Sequence, residues 1–280
     1  MIRLHDKNSG KILRLSVYGA LTMMNTFKTL QFNMQFGQEW NEADPDHAPV
    51  NLDHTIAEIR SHDADIVILQ EVEHALPDGK QLLPPPNYTR LSEVLDGYYG
   101  YFSYPRSDPR ELPFGIGLAI FSKTPLYGTS HQDLPSPPIT FEFNGETKTP
   151  TDRMIIGAKT MISGHELHLF NTHLLAFFML KSSSEQYTDQ RRMVIEQLRH
   201  IEGPVLLGGD FNVSKHDSLI RQFTDAGFQS VQTEKTTWRR QSYVLDHIFY
   251  NRHLLQVRHE VKPTMASDHH VLVAEFKFVD

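Results

Sequence analysis

The 280-residue chain contains no cysteine. Disulfides, thiolate metal ligands and a cysteine nucleophile are therefore excluded. The absence fits a reducing compartment, and a cytoplasmic location is the expectation. Long apolar runs are missing as well. None approaches the ~20 residues of a membrane span, so no integral membrane segment is expected. Arg3, Lys7, Lys11 and Arg14 precede Leu15–Met23 in a faint likeness to a signal peptide, but Ser16, Tyr18 and Gly19 interrupt the short apolar core. Positive charge is scarce: 27 Lys and Arg stand against 34 Asp and Glu, a net charge of −7. Such a balance gives no support to tight nonspecific nucleic-acid binding, which needs clustered cations. It leaves room for an enzyme that contacts a few phosphates, and carboxylates gathered around a metal would contribute to it.

Internal repeats, heptads and long low-complexity linkers are also absent. Short β-rich runs alternate with two helical patterns, which reads as an α/β fold. Lys28–Met34 alternates like a strand. Leu52, Ile56 and Ile59 share one face of a helix over Leu52–His62. Asp65–Gln70 is apolar on both sides and reads as a buried strand. Pro84–Pro86 and Gly97–Tyr104 read as loop, Gly117–Ser122 as strand, and the proline-rich Leu134–Pro150 as a surface excursion. Arg153–Met161 and Glu166–Asn171 form a hairpin turning at Ser163-Gly164. Ser183–His200 reads as a helix with Ser183 and Gln186 as a capping box. Val205–Leu207, Tyr243–Tyr250 and His270–Phe278 are the last strands. No boundary divides the series, so residues 29–280 form one domain after an N-terminal extension over 1–28.

Polar residues recur where the apolar strands end. Asn33 follows the first, Glu71 ends the second, and Asn171 and His173 end a third. Asp210 and Asn212 follow Val205–Leu207, Asp246 sits within VLDHIF, and Asp268-His269 precede the final strand. Loops at strand ends are where α/β proteins place their sites. Taken singly, each position is more often a turn residue or a satisfied histidine. As a set they supply hard oxygen ligands and two imidazoles without a thiol, which suits magnesium or manganese rather than structural zinc.

The strings QFNMQ (Gln31–Gln35), DIVILQEVE (Asp65–Glu73), GLAIFSK (Gly117–Lys123), NTHL (Asn171–Leu174), GGDFN (Gly208–Asn212), LDHIF (Leu245–Phe249) and SDHH (Ser267–His270) resemble the successive signatures of the endonuclease/exonuclease/phosphatase superfamily, in that order. The resemblance implies a DNase I-like four-layer sandwich, two packed β-sheets flanked by helices, with the site at one rim. It implies magnesium-dependent hydrolysis of a phosphoester, in nucleic acid, phospholipid or a soluble compound. Glu71, Asn33 and Asp268 are then expected at the metal. Asp210 orients or deprotonates the attacking water, and Asn212 holds that water or a phosphate oxygen. His269 pairs with Asp246, and His173 contacts the scissile phosphate or the leaving oxygen. The alternative is a noncatalytic binding module that keeps the fold; a lost Glu71 or His269 would favour it, and neither is lost. A monomer is expected. Arg153 suits either a phosphate contact or a surface ion pair. Trp238 reads as a core or strand-edge residue, and His5, His47, His131 and His216 as surface. The apolar run Leu174–Leu180 either packs under the following helix or lies exposed beside the site.

Overall fold

The computed structural model describes residues 26–279. Its elements run β1 (Thr26–Asn33), α1 (Leu52–Ser61), β2 (Ile66–His74), α2 (Pro86–Val94), β3 (Tyr99–Ser103), β4 (Gly115–Ser122), β5 (Tyr127–Leu134), β6 (Phe141–Phe143), β7 (Glu146–Lys148), β8 (Arg153–Ile162), β9 (His165–His173), α3 (Asp189–Leu198), β10 (Val205–Asp210), α4 (His216–Asp225), β11 (Phe228–Ser230), β12 (Asp246–Asn251), β13 (Leu254–Lys262) and β14 (Val271–Phe278). One six-stranded sheet has the order β13-β14-β1-β2-β4-β3, and the other β11-β12-β10-β9-β8-β5. The middle pair of each sheet is parallel, β1 with β2 and β9 with β10.

Strand alternation decides the layering. In β2, Ile66 and Ile68 point into the space between the sheets, where they meet Ile156, Leu169, Leu206 and Ile248. Val67 and Leu69 point the other way, onto Ile56 and Ile59 of α1 and Leu91 of α2. In β10, Leu206 faces the first sheet, while Val205 and Leu207 pack under Val194 and Leu198 of α3 and Phe223 of α4. Both central strands are thus buried on two faces, which is why they read as unbroken apolar runs. The result is helix–sheet–sheet–helix, the four-layer DNase I-like sandwich that the resemblance implies. No helix among the described residues is long and apolar enough to cross a membrane.

Several local expectations are corrected. Gly97–Tyr104 is not loop: Tyr99–Ser103 pairs with β4 as an edge strand, and its half-exposed aromatics hide the alternation. Pro84–Pro86 leads into α2, where Pro86 occupies the first turn, a position whose missing N–H costs nothing. The Ser183 capping box does not form. Ser183 Oγ accepts from Glu185 N in a local turn, and α3 begins six residues later at Asp189. The excursion over 134–150 carries the β6–β7 hairpin. β5, β11, β13 and α4 were not foreseen; β5, β11 and β13 lie at or next to sheet edges. The β8–β9 turn is as expected, with φ of 52° at Ser163 and 87° at Gly164. β1 already begins at Thr26, and the remainder of the 1–28 extension lies outside the described residues.

Strand β10 does not stop at Gly208-Gly209 but continues through them to Asp210. A Cβ on Gly209 would lie 2.4 Å from the Thr172 carbonyl oxygen of β9, and one on Gly208 would lie 3.0 Å from Ile68 of the facing sheet. The glycines serve close approach rather than a turn. Gly209→Ala must push the parallel pair apart and is expected to cost roughly 1–3 kcal/mol. Calorimetry should show a lowered melting temperature; an unchanged one would mean the strands have room to spare.

Candidate active site

The alternation that builds the core also builds the site. On the inner face of β1, Gln31 and Asn33 follow Phe27 and Thr29. On β2, Gln70 follows Ile68. On β9, Asn171 and His173 follow Leu169, and on β10 Asp210 follows Leu206 and Gly208. On β12, which runs the opposite way, Asp246 precedes Ile248. Register puts these residues at one level: Asp210 pairs with both His173 and Asp246, Gly208 with Asn171, and Asn33 with Gln70. At this rim the apolar space between the sheets turns polar. Gln31 Nε2 donates to Gln70 Oε1 at 2.6 Å and to Asp246 Oδ1 at 2.9 Å. Gln70 Nε2 donates to Asn171 Oδ1 at 2.7 Å, and Asn171 Nδ2 donates to the carbonyls of Leu69 and Ala119. The network ties sheet to sheet and leaves few of its buried groups unpartnered.

Above it stand the expected catalytic residues. Asp246 Oδ2 lies 2.8 Å from Nδ1 of His269, so the expected pair is present and both side chains are buried. Asn33 Nδ2 donates to Glu71 Oε1 at 3.0 Å and to Asp210 Oδ2 at 3.1 Å. Asn212 N donates to Asp210 Oδ1 at 2.9 Å, and Asn212 Nδ2 donates to the Leu174 carbonyl. His173 Nε2 is 3.8 Å from Glu71 and 3.7 Å from Asp210, beyond hydrogen-bond range. Asp268 Oδ2 accepts from the Trp238 indole at 3.1 Å and from Arg240 Nε at 2.8 Å. All eight sequence-predicted site residues therefore meet at one rim. Glu71 reaches it by a bulge: the β2–β4 register shifts between Gln70 and Glu73, and Glu71 has φ 50°. A Cβ on Gly115 of β4 would lie 2.2 Å from Glu71 Oε2 and 2.3 Å from its Cβ, so glycine there makes room for the carboxylate.

Crowding sets the charge states. Burial raises the Glu71 carboxyl to about 7, and the neighbouring Asp268 adds to the rise against the Asn33 hydrogen bond. Burial likewise raises Asp210 to about 8; Asp246 and Glu71 push it up further while His269 and Asn33 pull it down. For His269 burial disfavours the cation, but Asp246, Asp210 and Asp268 together outweigh it and lift the imidazole to about 10. His173 goes the other way: burial, then Arg153 and His269, hold it well below the ordinary histidine range. One imidazole is thus kept charged and the other neutral. Asp210, Asp246 and His269 also bring one ligand atom each within 4.8 Å of one another.

A cleft of about 1050 Å³ opens over these groups. Arg153 lines it with its Nε buried and unpartnered, so the surface ion pair weighed from sequence does not form among the described residues. Trp238 is buried and bridges to Tyr243 and His269, as a strand-edge residue does, yet it also lines the cleft. His47 and His131 are exposed and His216 is half-buried against the His247 ring; His5 lies outside the described residues. The sequence reading missed Gln31 and Gln70, Gly115, and Arg240. The one available signal was a polar residue at an inward position of an otherwise apolar strand, as at Gln31 and Gln70.

Comparison with known proteins agrees with this geometry. The chain is 31% identical over 123 residues to a UPF0294 protein of Vibrio cholerae serotype O1 and 33% identical over 119 residues to one of Yersinia pseudotuberculosis. These matches cover 42% and 41% of this chain, and the chain spans less than half the length of either relative, 42% and 44%. An endonuclease/exonuclease/phosphatase from Bacteroides vulgatus superposes with TM-score 0.68 at 19% identity, over 91% of this chain and 99% of that one. The human Nocturnin catalytic domain with bound sulfate gives 0.60 at 21% identity, over 92% and 96%. A mannosyl-6-phosphatase of Bacteroides thetaiotaomicron gives 0.63 at 18%, over 90% and 100%. At such identities these structures speak for the fold alone. Residues 30–269 match the Endonuclease/Exonuclease/phosphatase family, and the chain belongs to it.

Proposed function

We infer that the protein is a divalent-metal-dependent hydrolase of phosphodiester bonds, acting at the rim formed by Glu71, Asp210 and the Asp246–His269 pair. The observation that carries this reading is the crowding of Glu71, Asp210 and Asp268 in one partly buried place. Three carboxylates converge there, and two of them hold their protons far above the usual carboxylate range. Asn33 offers only an amide between Glu71 and Asp210. That deficit of positive charge, with an all-oxygen donor set, fits a hard divalent cation such as Mg2+ or Mn2+. Glu71, Asn33 and Asp268 would hold it, and when bound it supplies Lewis-acid stabilisation of charge on the phosphoryl oxygens. The Asp210–Asp246–His269 group is the poorer site, because Nδ1 of His269 is taken by Asp246 and a protonated imidazole cannot ligate.

The residues of the chain divide the remaining work. In its ionised form Asp210, a stronger base than an ordinary carboxylate because of its raised proton affinity, accepts the proton of the attacking water while the Asn212 N–H fixes the carboxylate through Oδ1. The water oxygen bonds to phosphorus and the ester P–O bond breaks. His269, kept cationic by Asp246, gives its Nε2 proton to the leaving oxygen or stabilises the charge beside it. Neutral His173 donates one N–H to the phosphoryl group, and Arg153 offers it a guanidinium.

Chelation by EDTA and Glu71→Gln should each lower hydrolysis of a generic phosphodiester at least ~100-fold, the scale of lost electrostatic stabilisation. Full activity under either condition would sink the metal reading. Asp246→Asn and His269→Ala disable one unit, so their losses should be strongly non-additive. A double variant whose loss equals the product of the two single losses would disprove the pairing. Gly115→Ala should displace the Glu71 carboxylate by its added methyl. A titration of thermal stabilisation by Mg2+ should then shift to higher concentration, and an unshifted curve would place the ion away from Glu71.

A further inference from the structure

The cleft has more to recognise than a phosphate. Large apolar side chains stand unusually open on its rim: Met179 is 57% exposed, Val50 60%, Phe114 46% and Leu82 43%. Exposed apolar surface gathered in one place marks binding rather than accident. Two of these positions are built up from below. Phe114 packs edge-on against Phe143 of the β6–β7 hairpin, with ring centroids 5.8 Å apart. The run Leu174–Leu180, which contributes Leu175, Ala176, Met179 and Leu180 to the cleft lining, divides the two expectations for it. Leu174, Leu175 and Phe177 are core, and Phe177 stacks on Tyr187 at 5.3 Å. Phe178 packs on Trp238 at 5.5 Å and on Tyr243 at 5.3 Å. Anchored by both phenyl rings, the turn Phe177–Leu180 presents Met179 to solvent beside the site.

Charge narrows the occupant. Among the described residues, Arg110, Arg153 and Arg240 are the arginines of the cleft wall, and no lysine lines it. Arg110 is engaged by Asp108, and Arg240 by Asp268 and Asp46. Among the described residues only Arg153 of the three has no ion pair. Beyond the catalytic carboxylates the wall also carries Asp46, Glu111 and Glu142. A nucleic-acid strand brings a phosphate at every residue and requires a row of cations. Among the described residues this cleft offers one arginine without an ion pair, between acidic and apolar walls.

We propose that the substrate is an amphiphile, an ester of a single phosphate group bearing a long apolar chain. Arg153 meets the phosphate, and Phe114, Phe143 and Met179 take the chain. This deepens the phosphodiesterase reading above and rests on it. The source is a lipid-like phosphodiester, not an oligonucleotide.

A series of p-nitrophenyl alkyl phosphates, methyl to octyl and below their micellar concentrations, tests it with Mg2+ present. The leaving group is constant and only the apolar arm changes. kcat/KM should rise at least ~10-fold from methyl to octyl, because each buried methylene contributes. In Phe114→Ser with Met179→Ser the octyl-to-methyl ratio should fall at least ~5-fold, with circular dichroism and melting showing an intact fold. Octyl phosphate should also raise the melting temperature of the wild type more than inorganic phosphate does, and this excess should shrink in the double variant. A flat chain-length profile, or faster cleavage of a dinucleotide than of the octyl ester, overturns the amphiphile proposal while leaving the hydrolase intact. Failure to cleave any ester, with the octyl phosphate stabilisation preserved, overturns the hydrolase reading instead. Loss of both turnover and that stabilisation overturns both.

Discussion

Asp246 accepts a hydrogen bond from Gln31 in the opposite sheet at 2.9 Å through one oxygen and holds His269 at 2.8 Å through the other. The rest of the rim depends on that bridge. Two apolar sheets packed face to face can slide, because apolar contact is not directional. A polar seam cannot slide without breaking hydrogen bonds in a medium where a lost partner costs about 1–3 kcal/mol. Gln31, Gln70 and Asn171 therefore lock the sheets in one relative position, and they do so directly beneath Asp210 and His269. Thr237 reinforces the lock by accepting from the backbone N–H groups of Leu245 and Asp246 at 3.0 Å. Fold register and site geometry become a single constraint.

The fold was legible in the sequence where burial made it so. Asp65–Gln70 and Val205–Leu207 lie in central strands covered on both faces, so they read as solid apolar runs and led directly to the layers. Edge strands such as β3 and β13 were not legible, because their residues answer to solvent on one side and their aromatics or charges break the alternation. Ser183 shows the opposite failure. The capping pattern was present, but a three-serine stretch has local turns open to it, and the helix started later. The candidate site residues were legible as a set rather than singly, since carboxylates, amides and imidazoles recurring at the ends of several apolar strands share one donor chemistry. Their supports were not. Nothing in the sequence says that Gly115 lies against Glu71, or that Arg240 and Trp238 converge on Asp268, because those meetings cross from β4 to β2 and from a loop to the start of β14.

The acidic balance of the chain acquires a local meaning. Arg240 is consumed by Asp268 and Asp46, and Arg110 by Asp108. Two of the three arginines of the cleft wall are thus committed to carboxylates. Pairing with Arg240 holds the Asp268 carboxylate in place at the rim. It also removes those cations from competition for a polyanion. Arg153 differs: it lies near His173 and Glu71, lines the cleft, and has its Nε buried without a partner.

Strain points to the same place. Glu71 at φ 50° and Asn212 at φ 51° both occupy the left-handed region. Asparagine visits that region readily, and Asn212 is held there by Asp210 and Leu174. Glutamate lacks asparagine's intrinsic tolerance of that region, and such a backbone costs on the order of 1–3 kcal/mol. A glycine at position 71 would relieve the bulge at no steric cost. It would also delete the only side chain from that strand which reaches Asn33 and the neighbourhood of Asp268. The bulge is thus explained by the carboxylate it delivers: an unbroken β2 would turn residue 71 to the outer, helix-covered face, opposite in parity to Gln70, and the rim would lose its central acid.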